Sequence, residues 1–275
     1  MNSPLGRGVF TVLFPSDCRL CGVPLTNISR LPVCPGCLSA IKAISTSTCP
    51  VCGERVPSEF GDRLCSACEQ TPPHFIRACA YGAYDGQLRE LIHLLKYEQV
   101  TPAAAVLGAM LAQAIRKLEI GGESVLVVPV PLHRSKRRQR GFNQSQLIGQ
   151  AALNGSGLIN AQLAADVLER VRPTLSQIGL TRPQRAENIR GAFRIRHLNK
   201  VSGRCVLLVD DVLTTGTTAN ECARILKKGG AEKIWVATVA RTLKETGAIW
   251  ANDDMFRQQS HSGGADEKVR TARAS

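Results

Sequence analysis

Apolar and polar positions follow different rhythms in different parts of this chain. Residues 1–70 carry only short apolar clusters, broken by cysteine pairs, with no sustained period. Residues 76–84 read as a short strand or hairpin arm. Leu88, Leu91, Ile92 and Leu95 then fall at helical spacing. A second helix is expected with Thr101 as N-cap and Pro102 at its first position, running to about Lys117. Ser124–Val130 is a near-continuous apolar run, the pattern of a strand covered on both faces in a parallel sheet. The basic stretch Arg134–Arg140 leads into a helix from about Asn143 to Leu153. Residues 171–195 are rich in arginine and turn formers, show little periodicity, and read as a long loop of the kind that carries function. Val206–Val209 is another buried strand. A helix from about Thr218 ends at the Gly229-Gly230 cap, and Ile234–Val239 is a further strand.

Strand, helix and strand in this alternation predict an α/β fold, a parallel sheet with helices on both faces. Thr71-Pro72-Pro73 reads as a linker, so a small cysteine-rich module over 1–70 precedes an α/β domain over 71–243. From about Lys244 periodicity disappears, and 244–275 is expected to be a mostly disordered tail.

Of 275 residues 44% are apolar, enough for a sizeable core, and no apolar run reaches the ~18 residues of a membrane span. The run Val9–Phe14 is short, contains Thr11, and meets Pro15 and Asp17 with no small-residue cleavage site, so it does not read as a signal peptide. A cytoplasmic location is expected. The net charge is +13, and residues 71–243, with 24 basic and 12 acidic groups, hold +12 of it. That asymmetry points to a polyanionic ligand, with a merely solvated basic surface as the alternative.

The cysteines form an internal repeat. Cys18-x-x-Cys21 is followed after twelve residues by Cys34-x-x-Cys37, and Cys49-x-x-Cys52 after twelve by Cys65-x-x-Cys68, a period of 31. Two such knuckles supply a tetrahedral S4 site, so two closed, structural Zn²⁺ sites are expected, paired sequentially. Iron in a rubredoxin-like site and interleaved pairing of the knuckles are the alternatives. Without an export signal, disulfides are not expected. Residues 18–70 contain one aromatic, Phe60, too little core to fold unaided, and a structural Zn²⁺ contributes on the order of 10–16 kcal/mol of apparent folding free energy. Cys79, Cys205 and Cys222 lie outside the repeat and read as small core residues.

Val206–Val209 runs straight into Asp210-Asp211 and then Thr214-Thr215-Gly216-Thr217-Thr218, which open a helix. Carboxylates at the end of a buried strand sit at the usual ligand position of an open α/β sheet. They accept hydrogen bonds from ribose hydroxyls, directly or through a metal. A hydroxyl- and Gly-rich turn at a helix N-terminus favours a phosphate dianion. Neither GxxxxGK[ST] nor GxGxxG occurs. The segment closely resembles the 5-phosphoribosyl pyrophosphate (PRPP) signature of type I phosphoribosyltransferases. The resemblance implies that Asp210 and Asp211 act as catalytic carboxylates on the ribose. It also implies that Thr214–Thr218 wrap the 5′-phosphate and that Mg²⁺ bridges pyrophosphate and ribose.

Arg134, Lys136, Arg137, Arg138 and Arg140 place five cations in seven residues after the first buried strand, followed by Gly141, Phe142, Asn143 and Gln144. Arg134, Lys136, Arg137, Arg138, Arg140, Gly141, Asn143 and Gln144, with Arg182 and Arg185 downstream, are expected to hold pyrophosphate or DNA. With Gln177, Leu180, Arg182, Arg185, Asn188 and Phe193, and with the cysteine-rich start, the chain resembles the ComF/GntX family over roughly residues 15–242. The family is associated with natural competence, handling of incoming single-stranded DNA, and use of gluconate or DNA as nutrients. The resemblance implies single-stranded DNA and competence or helicase-type proteins as partners. Two classes of function stand open: a phosphoribosyltransferase acting on an unidentified acceptor, or a PRPP-type binding module beside a DNA-holding surface. Aromatics are only 4% of the chain, which weakens any base-stacking surface.

Overall fold

A computed structural model describes residues 17–25, 29–57, 63–158, 160–174 and 182–243; the expected tail over 244–275, Gln177 and Leu180 lie outside the described residues. Along the chain run α1 (Pro35–Ala40), α2 (Ser66–Gln70), β1 (Arg77–Ala83), α3 (Gly86–Tyr97), α4 (Ala103–Arg116) and β2 (Val125–Pro129). Then come α5 (Arg134–Arg140), α6 (Gln144–Leu153), β3 (Gln162–Leu163), β4 (Leu168–Arg170), α7 (Arg182–Ile189) and β5 (Phe193–Ile195). β6 (Cys205–Leu213), α8 (Thr217–Lys228) and β7 (Ile234–Arg241) complete the described part.

The apolar runs become a five-stranded parallel sheet in the order β1-β7-β6-β2-β3. Alternation along each strand divides the core into two. Leu207 and Val209 of β6 face one side, with Val125 and Val127, under α3, α4 and α6. Val206 and Leu208 face the other, with Leu126 and Val128, under α8, α7 and the antiparallel pair β4–β5. α4 and α6 approach so closely that a Cβ on Gly108 would lie 2.5 Å from the Ala151 Cβ.

The first half of the cysteine-rich segment joins the first core, where Leu25, Leu31, Val33 and Ile41 pack with Leu88 and Leu91 of α3, while the second half gathers a small cluster of its own around Cys49, Val56, Cys65 and Cys68. It also covers β1, the edge strand of the sheet. The Ile44 amide donates to the Tyr81 carbonyl at 2.8 Å, and the Ala78 amide donates to the Val51 carbonyl at 2.7 Å. An edge left bare would template pairing with other chains.

Four local expectations change. Thr101 does not cap α4; Pro102 holds that place and makes no side-chain cap bond. Arg134–Arg140, read as a basic approach to a helix, is itself helical, capped by His133 and ended by Gly141 at φ 82°. Because α5 buries no residue, it leaves no apolar period to detect. The expected loop over 171–195 contains α7 and β5, with β5 pairing to β4. β6 continues through Asp210 and Asp211 to Leu213.

Candidate functional site

β6 carries Asp210 and Asp211 to the C-terminal end of the parallel sheet, flanked by β2 and β7. The Ser145 hydroxyl, from the first turn of α6, donates to Asp210 Oδ1 at 2.7 Å, and the Asp211 amide donates to the same oxygen at 2.9 Å. Lys96, near the end of α3, lies 2.9 Å from Asp211 Oδ1. Asp211 Oδ2 is buried and has no hydrogen-bond partner. Burial, and next the charge of Asp211, push the Asp210 carboxyl up to about 7, against the hydrogen bond from Ser145 and the charge of Lys96. Burial disfavours the Lys96 charge, but attraction to Asp211 and Asp210 overcomes it and raises the ammonium above its usual range.

Beyond the carboxylates the chain turns through Thr214 and Thr215 to Gly216, whose φ of 77° is a left-handed conformation that suits glycine. Gly216 is the N-cap of α8 and has no side chain with which to cap it. Thr215 and Thr217 share a hydroxyl hydrogen bond of 2.7 Å. A helix N-terminus that begins on a glycine and carries hydroxyls in its first turn suits a phosphate.

Cations gather on the other side. Partial loss of hydration, then the neighbouring charges of Arg170, Arg140 and Lys96, hold the exposed Lys136 ammonium below its usual range. Arg170, at the end of β4, is half-buried over the Phe193 ring at 5.5 Å, and burial lowers it too while Asp210 opposes. Lys96, Lys136, Arg140 and Arg170 thus form a cluster of mutually repelling cations, which an anion would relieve. Arg134, Arg137, Arg138 and Gly141 line an adjoining open cleft of about 590 Å³. Arg134 is already paired to Glu169 at 2.7 Å.

The eight repeat cysteines form two groups, Cys18, Cys21, Cys34 and Cys37, and Cys49, Cys52, Cys65 and Cys68; within each the sulfurs lie within 4.8 Å of one another. This is the sequential pairing. Tetrahedral bonds of about 2.3 Å to Zn²⁺ put sulfurs about 3.8 Å apart. The Cys18–Cys37, Cys21–Cys34 and Cys52–Cys65 separations are 3.9, 3.7 and 3.6 Å. The residues fit two closed structural Zn²⁺ sites. Arg241, the last residue of β7, is buried against the second, with Nη2 3.1 Å from Glu54 Oε2 and 3.8 Å from Cys52 Sγ. A guanidinium there offsets thiolate charge.

A family model described as phosphoribosyl transferase domain matches residues 111–267, and one described as double zinc ribbon domain matches residues 9–71. The chain is 33% identical over 232 residues to the DNA utilization protein YhgH of Salmonella typhimurium, covering 83% of this chain and 98% of that protein. It is 31% identical to competence protein F of Haemophilus influenzae, covering 78% and 93% of the two chains. It is 24% identical to competence protein ComFC of Bacillus subtilis, covering 76% and 84%. The chain belongs to the ComF/GntX family.

Within this ComF/GntX chain the structure brings the carboxylate pair, the threonine turn and part of the basic segment to one end of the sheet. Asn143 plays a structural part there: its Oδ1 accepts from the Ser145 amide and its Nδ2 donates to the Val130 carbonyl, both at 3.1 Å. Gln144 is buried and accepts from Arg140. Arg182 and Arg185 belong to α7, which packs on α8. Sequence reasoning missed Lys96, Ser145 and Arg170. Lys96 carried one signal, a cation on the helix whose apolar stripe ends at Leu95. Among the described residues no helix is long and apolar enough to cross a membrane.

Proposed function

We propose that this protein binds PRPP, with Asp210 and Asp211 on the ribose hydroxyls and Thr214–Thr218 around the 5′-phosphate, and that it acts in the cytoplasm in uptake or use of incoming single-stranded DNA. The chain then comprises a double zinc ribbon (1–70), a phosphoribosyltransferase-like domain (71–243) and a tail (244–275). The observation that carries it is Asp211 Oδ2, a buried carboxylate oxygen without a donor, on the strand that leads through the threonine turn to the N-terminus of α8. A buried acceptor left unpaired costs about 1–3 kcal/mol, and a ribose hydroxyl supplies the missing proton donor. The cation cluster of Lys136, Arg140 and Arg170 then faces the pyrophosphate. Asp210 and Asp211 would also hold Mg²⁺, which when bound with PRPP would neutralise charge on the pyrophosphate. The names of the relatives support the DNA role, and Arg137 and Arg138 are the cations left for a strand, with competence or helicase-type proteins as its further partners.

A second reading, an active phosphoribosyltransferase with no direct DNA role, is favoured by one observation. Asp210, at about 7, is in the range of a general base for an acceptor. In that reaction the acceptor bonds to C1′, pyrophosphate leaves with the C1′–O electron pair, and the acceptor's proton passes to the carboxylate.

Isothermal titration tests the proposal with PRPP, ribose 5-phosphate and oligo-dT, each with and without Mg²⁺. The wild-type chain should bind PRPP, and the double variant Asp210→Asn, Asp211→Asn should lose at least tenfold in affinity while its circular dichroism stays the same. Equal PRPP affinity in the two proteins would remove the ribose assignment.

A further inference from the structure

We propose that Tyr97, with Arg140 against its ring, is a stacking platform for a nucleobase presented to the Asp210–Asp211 site. The inference rests on the phosphoribosyl reading of that site and names the chemical class of its second ligand.

Tyr97 closes α3 and is 68% exposed, the most open of the large apolar side chains among the described residues. Its ring is nevertheless held in place. The Arg140 guanidinium lies 5.7 Å from the ring centroid, and His93, one turn back on α3, meets the ring edge-on at 5.2 Å. The His93 Nε2 is in turn hydrogen-bonded to the Tyr84 hydroxyl at 2.9 Å. A rigid aromatic ring with most of its surface open is a low-entropy site for a planar partner.

Two pairs of adjacent residues tie the platform to the carboxylates. On α3, Lys96 binds Asp211 and its neighbour Tyr97 carries the ring. On α6, Ser145 binds Asp210 and its neighbour Gln144 holds Arg140. Burial raises the Tyr84 hydroxyl, and the charges of Lys96 and Asp211 also reach it, so the inner end of the Tyr97–His93–Tyr84 chain lies near the carboxylates.

The neighbouring charges decide what kind of ring fits. An aromatic surface followed by Arg140, Lys136 and Arg170 suits a flat ring with phosphate beside it, the chemistry of a nucleobase next to PRPP or within a strand. Such a base belongs either to a monomeric acceptor or to a single strand; both present the same ring.

Fluorescence of 2-aminopurine, which is quenched on stacking, tests the platform. Three probes are titrated into the full chain: oligo-dT with one central 2-aminopurine, the same strand with an abasic residue there, and the free base 2-aminopurine. The variants are Tyr97→Ser and Tyr97→Phe, with circular dichroism to confirm folding. We expect quenching in the wild type, about tenfold weaker binding of a 2-aminopurine probe by Tyr97→Ser, and recovery in Tyr97→Phe, with the abasic strand unaffected. Quenching of the free base as well as the strand identifies a monomeric acceptor; quenching of the strand alone identifies single-stranded DNA. The platform is overturned if Tyr97→Ser binds every probe like wild type, or weakens the abasic strand equally. Heats of PRPP binding to the wild-type chain report the phosphoribosyl reading separately. Their absence beside intact quenching would remove that reading and leave the ring a DNA contact.

Discussion

Lys96 Nζ sits 2.9 Å from Asp211 Oδ1, joining the end of α3 to the strand that carries the carboxylate pair, with both side chains largely shut off from water. Two adjacent carboxylates and a cluster of cations are each unstable alone in such a place. Together they hold one another until a ligand replaces part of the contact.

Removing the cation should therefore cost more than removing the pair. Lys96→Met leaves Asp211 buried without its counter-charge and should destabilise the protein by about 3 kcal/mol. Adding Asp211→Asn should recover at least half of that loss. Urea unfolding of the two single variants and the double variant measures the coupling. Additive effects would show that the ion pair does not hold this end of the sheet together.

Asp210 makes the unliganded protein sensitive to pH. Its carboxyl is raised from 3.8 to about 7 in the fold, so between these values the folded state keeps a proton that the unfolded state gives up. Its contribution to stability is complete below pH 4 and is lost as pH rises to about 7. Asp210→Asn should flatten that part of the stability–pH curve and raise the melting temperature near pH 8. PRPP, which needs the ionised carboxylate as an acceptor, should bind more tightly to the wild type as pH rises through 7.

Elemental analysis should find two Zn²⁺ per chain. Each Zn²⁺ contributes on the order of 10–16 kcal/mol, as much as the whole stability of an ordinary domain. Chelation should therefore unfold the cysteine-rich segment and strip the cover from β1. Amide exchange at Ala78, whose hydrogen bond crosses to Val51, should then accelerate sharply, and aggregation should follow from the bare edge. Protection at Ala78 that survives complete metal removal would show that the edge is covered without metal.

The exposed face of α5 offers a charge test of DNA binding. For a single strand, log K falls with log salt at a slope of about −0.7 for each phosphate contacted. Arg137→Gln with Arg138→Gln should make that slope shallower by about one to two units while changing PRPP affinity little. An unchanged slope would place the strand elsewhere.

The sequence by itself determined the pieces whose physics is local. Four apolar residues ahead of Asp210-Asp211 read as a buried strand, because a strand covered on both faces admits no polar alternation. The threonine-rich turn and its glycine read as a helix start. The matched CxxC spacings foretold two metal sites, and the structure groups them in the order along the chain. α5 was not legible, because a helix of seven residues that buries none of them has no apolar face. Nor was the β4–β5 pair, since strands of three residues are too short for alternation to register. Lys96, Ser145, Arg170 and Arg241 took their roles only from the tertiary structure. Each is an ordinary residue on its own element, and its partner or charged neighbour arrives from a distant part of the chain. Periodicity records which side of an element meets the core; which charges meet across it is decided only when the sheet order brings α3, α6, β4 and β6 to one end.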